Sequence, residues 1–301
     1  MLFELSRDYM IFFKIRKEFT MHIEKKQIRR SKVRLFLGKR YYWAKRYKQW
    51  YFGDGNYSKN ISFQKCPYIV FTHSSPLIRK LKDVDMHLQY NKITNLRLAT
   101  EKLNGIVIKP GEIFSYWKLI GNPSRKKGYL DGLVLCSNGS FKAGVGGGLC
   151  QLSNLIYWMT LHTELAVIER HRHSHDVFPD VNRTQPFGTG ATCSYNSLDL
   201  QIYNGTSTDF QLIVYLTNET LVGEWRTTIP SIYKYEVYEK EHSITPDLFG
   251  GYVRNNLIYR KIFDSMGLIK DKYITENHAY MTYSPYLSVG KSLYQNKKTS
   301  S

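Results

Sequence analysis

An α+β fold, with an antiparallel sheet packed against a central helix that carries Cys150 at its N-terminus, is what this sequence predicts. Three observations lead there. Aromatic residues are abundant, with 24 Tyr, 15 Phe and 5 Trp, and their side chains fit pleated surfaces. Several segments alternate apolar and polar residues with the period of two of half-buried strands. One segment, 151–163, is apolar with helical period and follows a run of glycines. The chain has 301 residues, 42% of them hydrophobic, enough length and apolar character to bury a core.

Residues 1–50 read as a basic, aromatic-studded helical arm with 15 Lys or Arg against 4 Asp or Glu. It holds most of the net charge of +18, and such a balance points to anionic partners. Arg40-Tyr41-Tyr42-Trp43 and Lys48-Gln49-Trp50-Tyr51 interleave cations with rings. That pattern suits stacking on nucleic-acid bases and equally an anionic membrane surface. A solvated arm is the plain alternative. Apolar patches in residues 1–13 are broken by Glu4, Arg7 and Asp8, with no small-residue cleavage site after them, so no secretory leader is expected. No stretch has the length of a membrane span. The expected location is cytoplasmic, with peripheral membrane contact through residues 1–50 left open. Met21 is an alternative start. Cys66, Cys136, Cys150 and Cys193 show no C-x-x-C spacing and are expected as free thiols.

Residues 91–104 read as a helix with Leu96, Ala99 and Leu103 on one face and Asn104-Gly105 as its stop. Residues 106–108 form a short strand, 109–112 a turn around Pro110-Gly111, and 113–117 an extended run. Residues 133–135 and 140–142 flank Asn138-Gly139, a hairpin signal. The run Ala143-Gly-Val-Gly-Gly-Gly-Leu-Cys150 leads into the helix, and 165–169 form a strand. Over 192–203, Leu198, Leu200 and Ile202 face one way while Asp199, Gln201 and Tyr203 face the other. Residues 210–216 form another strand. Alternation in 233–238 marks a β-rich C-terminal extension over 229–290, and 291–301 read as a polar tail.

The glycine run locates the candidate site. Glycine lets backbone N–H groups approach a ligand, and a helix start offers free N–H groups and a positive dipole end. A cysteine there is expected to have a lowered pKa, and the N–H groups of 149–151 could hold an oxyanion. Helical geometry places Leu152, Leu155, Ile156 and Met159 in one stripe and Cys150 roughly opposite. Trp158 and Leu161 add apolar surface, which leaves burial of both faces open. If extended, His171, His173 and His175 share one face. One of them could serve Cys150 as base, or the three could bind zinc. Their order, His-x-His-x-His-Asp, departs from the His-x-His-x-Asp-His of metallo-β-lactamases, and no metal or cofactor is assigned. Asp176, Asp180 and Asp199 are the candidate orienting carboxylates.

Leu103-Asn-Gly-Ile-Val-Ile-Lys-Pro-Gly-Glu-Ile-Phe-Ser-Tyr-Trp117 and Gly146-Gly-Gly-Leu-Cys-Gln-Leu-Ser-Asn-Leu155 resemble the opening block and the signature of the VanW family. Arg170-x-x-His173 and Ser197-Leu-Asp-Leu-x-x-x-Asn204 match later blocks. The resemblance covers roughly residues 90–220, within an expected VanW-like core domain of 61–228 between a 1–60 arm and the C-terminal extension. It implies a link to glycopeptide resistance and, by context, to cell-wall metabolism, with no assigned activity. It points to Cys150, Gln151, His173 and Asp199, and selects His173 among the histidines. One departure stands out: many members carry Asp where this chain has Gly190 before Ala191-Thr192.

The leading expectation is an accessory protein of resistance that acts as a thiol-dependent acyl-transfer enzyme on a cell-wall-related amide. Cys150 is then the nucleophile and His173 the base, with Asp199 or Asp180 orienting it. The helix-mouth Cys followed by a His-bearing strand is similar in order to papain-like and NlpC-type thiol enzymes, which is a fold-level analogy only. The alternative is a non-enzymatic accessory module that binds an anionic ligand or partner through the glycine loop, Gly146, Gly147 and Gly148, and the basic arm; His171, His175 and Asp180 are further candidate binding residues. A nucleic-acid binder acting through the arm is the third reading.

Overall fold

The computed structural model describes residues 31–78, 85–136, 139–177, 185–247 and 250–285. Met21, Asn138, Asp180 and the 291–301 tail therefore lie outside the described residues. The chain divides into two compact units, Met1–Ala44 and Lys45–Ser301. Helix α1 (Lys32–Phe52) begins in the first and ends in the second. Among the described residues no helix is long and apolar enough to cross a membrane.

The second unit is α+β. Its largest sheet has five strands in the order β1 (Asn60–Ile61), β3 (Ile106–Ile108), β10 (Phe210–Leu216), β11 (Thr220–Thr227) and β2 (Tyr68–Pro76), all antiparallel. Helix α2 (Met86–Leu103) packs on β10 and helix α4 (Cys150–Thr160) on β11 and β2. The predicted stripe of α4 is in the core: Leu152, Leu155, Ile156 and Met159 are all buried. Close approach needs Gly223, where an added Cβ would stand 2.6 Å from the Met159 methyl. The Trp225 indole N–H then reaches Thr160 Oγ1 at 3.1 Å. Tyr157, Trp158 and Leu161 are buried as well, so the helix is enclosed on both faces beyond its first turn, where Asn154 stays exposed.

Helix α2 starts five residues earlier than its apolar pattern indicates, because Asp85 caps it by accepting the His87 N–H at 3.0 Å. A side-chain cap stabilises a helix start without any apolar signal. The expected hairpin forms from β5 (Asp131–Leu135) and β6 (Phe141–Val145). Residues 143–145 of the glycine run thus belong to a strand, and only 146–149 turn.

A three-stranded sheet, β4 (Ile113–Ser115), β9 (Gln201–Tyr203) and β7 (Ala166–Glu169), lies beside helix α3 (Tyr116–Ile120). Here the expected strand over 192–203 shrinks to its last three residues. Residues 194–198 make a turn with Asn196 at φ 50°. The two predicted faces of this segment are not inside and outside, since Asp199, Leu200, Gln201 and Ile202 are all buried. Period-two patterning reads polarity, and here the polar side is covered and hydrogen-bonded at Asp199 and Gln201, while Tyr203 stays exposed.

The C-terminal strands are longer than the tyrosine alternation suggests: β12 (Lys234–Pro246), β13 (Tyr252–Asp264) and β14 (Gly267–Met281). The short strand β8 (His175–Asp176) adds in parallel to β14. Arg254, Asn256, Ile258 and Arg260 form the buried face of β13. Arg260 donates to the carbonyls of Leu161 at 3.1 Å and Thr163 at 2.9 Å, which places a cation at the C-terminal end of α4, where the helix dipole favours it.

Candidate functional site

The mouth of α4 is built by close backbone packing. A Cβ on Gly147 would overlap the Gly132 carbonyl, and one on Gly148, at φ 91°, would run into the Lys92 side chain. At Gly146 it would stand 2.9 Å from Pro123. Asn95 of α2 seals the turn, donating to the carbonyls of Gly147 at 2.9 Å and Leu130 at 3.0 Å. The glycines therefore admit neighbouring parts of the chain. The Gln151 N–H, expected as an oxyanion donor, closes a turn on the Gly148 carbonyl at 3.0 Å.

Cys150 points its thiol at the Cys193 carbonyl oxygen, 3.6 Å away. Burial pushes its pKa up, outweighing the backbone hydrogen bonds that favour the thiolate. The thiolate is thus disfavoured where a helix mouth was expected to favour it, because burial takes the charged sulfur out of water. Cys193 is raised further, by its own burial and by Cys150 beside it. All four cysteines are free.

The segment 191–193 is held on both sides. On one side the Ala191 N–H donates to Asn154 Oδ1 at 2.7 Å and its carbonyl accepts from Ser153 Oγ at 2.7 Å. On the other the Thr192 N–H donates to the His171 carbonyl at 2.9 Å. This places the segment between the first turns of α4 and the histidine run. Among the described residues no hydrogen bond joins Cys150 to His173.

The histidines go separate ways. His171 Nε2 meets Glu169 Oε1 at 3.0 Å. His173 is half-buried, and burial and then His175 lower its pKa. His175 Nδ1 pairs with Ser174 Oγ at 3.0 Å, and its backbone joins β14. Among the described residues no three His, Cys, Asp or Glu side chains gather as metal ligands. Asp176 forms an ion pair with Arg254 at 2.9 Å and accepts from the Tyr283 hydroxyl at 2.8 Å, so its carboxylate is engaged with the C-terminal sheet.

Asp199 is fully buried. It accepts from Ser115 Oγ at 2.5 Å, from the backbone N–H groups of Trp117 and Leu200 at 2.9 Å each, and from Gln201 Nε2 at 3.3 Å. Burial raises its pKa against the pull of Ser115 and Trp117. Those bonds make it a pin between β9 and the start of α3, and none goes to His173. Gln151 donates to Ser75 Oγ and to the Pro76 carbonyl, both at 2.9 Å, tying α4 to β2. Gly190 lies against Asn154, whose Oδ1 is 2.7 Å from where a Cβ would stand.

Sequence reasoning did not single out the most strongly paired group here. Glu169 takes Arg46 on both oxygens, at 2.6 Å and 2.5 Å, and also accepts the Asp199 N–H at 3.1 Å. Burial alone would raise its pKa, but the hydrogen bonds from His171 and Arg46 hold it at about 2. Glu169 directly precedes Arg170-His171 and could have been weighed with Asp176. Arg46 is one of many cations in the arm and carries no sequence signal.

A family model described as VanW like protein matches residues 91–226. Over 168 residues the chain is 39% identical to Vancomycin B-type resistance protein VanW of Enterococcus faecalis, covering 56% of this chain and 61% of that protein. Over 110 residues it is 31% identical to Uncharacterized protein YoaR of Bacillus subtilis, covering 36% of this chain and 34% of that protein. The matches thus span less than two thirds of either relative. No solved structure matches the chain.

Proposed function

We propose that this chain, which matches the VanW family model over residues 91–226, is an accessory protein of glycopeptide resistance and cell-wall metabolism whose Cys150 is structural, not nucleophilic. The resistance link rests on the similarity to Vancomycin B-type resistance protein VanW of Enterococcus faecalis. One observation carries the non-catalytic part: the Cys150 thiol is spent on the Cys193 carbonyl at 3.6 Å while burial disfavours its thiolate. Nucleophilic thiols need the opposite environment, with an adjacent base or a stabilised anion. A net charge of +18 suits an acidic wall-related small molecule or peptide as ligand.

A strain whose glycopeptide tolerance depends on this protein supplies the test. Cys150→Ala and Cys150→Ser are expected to keep full tolerance at equal protein level. If both variants accumulate as folded protein and both abolish tolerance, the thiol is functional. Acyl transfer through Cys150 and His173 is then the reading to adopt.

A further inference from the structure

The first unit presents a helical surface that neither the family match nor the α4 region explains. From Lys32 to Ala44 α1 carries Lys32, Arg34, Lys39 and Arg40 and no acidic residue, and no acid occurs between Glu24 and Asp54. Val33, Phe36, Leu37 and Tyr41 are each more than half exposed. At 100° per residue these four and Trp43 fall on one side of the helix, within about half a turn, while the exposed Leu35 and Tyr42 fall on the other. Arg40 falls within that side. Its guanidinium lies over the Phe36 ring at 5.1 Å and the Trp43 ring at 5.2 Å.

We infer that this helix docks on an anionic lipid bilayer and lies in the plane of the interface. Exposed Val and Leu side chains gain nothing from solvated phosphates. They gain from hydrocarbon, and rings with a polar edge favour the headgroup level. Arg40 can keep its stem among the apolar groups and its charged end at the lipid phosphates, the usual behaviour of a long basic side chain at an interface. Nucleic acid would use the cations and rings but would leave Val33 and Leu37 in water.

The full-length chain should pellet with vesicles of phosphatidylcholine containing roughly one quarter phosphatidylglycerol, and at least about tenfold less with phosphatidylcholine alone. Trp fluorescence should shift to the blue on binding. Phe36→Ser with Leu37→Ser should weaken binding at least roughly tenfold while leaving every charge in place. Arg34→Gln with Arg40→Gln should reduce the preference for the anionic vesicles. High salt should weaken wild-type binding without abolishing it. Failure to pellet overturns the inference, as does binding that both double variants keep in full. Duplex DNA that displaces the protein from vesicles, with Phe36→Ser/Leu37→Ser retaining DNA affinity, would replace the bilayer with nucleic acid.

Discussion

The Cys150 thiol donates to the carbonyl oxygen of Cys193 at 3.6 Å, so the sulfur at the mouth of α4 is held by backbone from a segment 43 residues away. A thiol in that bond, with its pKa pushed up by burial, should be slow as a nucleophile.

Alkylation by iodoacetamide at pH 7.5, followed by peptide mass mapping over time, reads this directly. Cys150 and Cys193 should react at least roughly tenfold more slowly than the free thiol of glutathione, because only the thiolate attacks. Cys150 reacting faster than glutathione would overturn the structural assignment and with it the proposed function.

The glycine turn should resist substitution for steric reasons. Gly147→Ala puts a methyl group into the Gly132 carbonyl, and neither side of that contact is a flexible side chain. A loss of roughly 3 kcal/mol or more in urea unfolding is expected, above the usual cost of overpacking. A loop kept open for a ligand would tolerate the same methyl with little change.

Glu169 should make the fold acid-sensitive. Its pKa lies at about 2 when folded, against an ordinary 4.5. A depressed carboxylate stabilises fully above its unfolded pKa, and that share is lost as pH falls from about 4.5 through 2. About 2 kcal/mol is expected, discounted for residual solvent screening. Asp199, raised by burial, works in the opposite sense. Glu169 adds to that rise, so the comparison of Glu169→Gln with wild type reads the Glu169 share together with its effect on Asp199. The variant's stability should be flatter than that of wild type in this window. An unchanged slope would remove the Arg46 pair from the acid response.

Arg260 should join the C-terminal strands to the stability of α4. Arg260→Met keeps much of the side-chain volume but leaves the carbonyls of Leu161 and Thr163 without their donor. Losing charge-assisted bonds at a buried helix end costs about 2–3 kcal/mol. Hydrogen exchange at the last turn of α4 should speed up in step with the global loss. Exchange that rises only in β13 would show that the two elements are not coupled.

Local patterning carried much of this fold. The stripe Leu152, Leu155, Ile156 and Met159 repeats at helical spacing, so its burial was legible in the order of residues alone. The Asn138-Gly139 pair announced the β5–β6 hairpin. Where the reading shortened or shifted an element, a polar side chain was responsible. Asp85 extended α2 by capping it, and Asp199 held a buried turn-and-strand where a half-exposed strand was expected.

The site was legible as a place and not as a chemistry. Glycines before a helix mark tight backbone packing as readily as a ligand cradle. Gly132 and Lys92, which fill the space beside Gly147 and Gly148, come from other elements. The pairs that define the region are remote in sequence: Ser115 and Asp199 are 84 residues apart, and Arg46 and Glu169 are 123 apart. No spacing rule reaches that far.

By itself the sequence determined the α+β class, the helix that follows the glycine run, and the match to the VanW family model over residues 91–226. Each of these depends on the kind and order of neighbouring residues. Only the tertiary structure decided that the half-buried Cys150 thiol faces the Cys193 carbonyl. It also decided that Asp199 and Glu169 answer to Ser115 and Arg46. A thiol's pKa is set by which dipoles, charges and solvent surround the sulfur, and that surrounding exists only once distant segments have folded together.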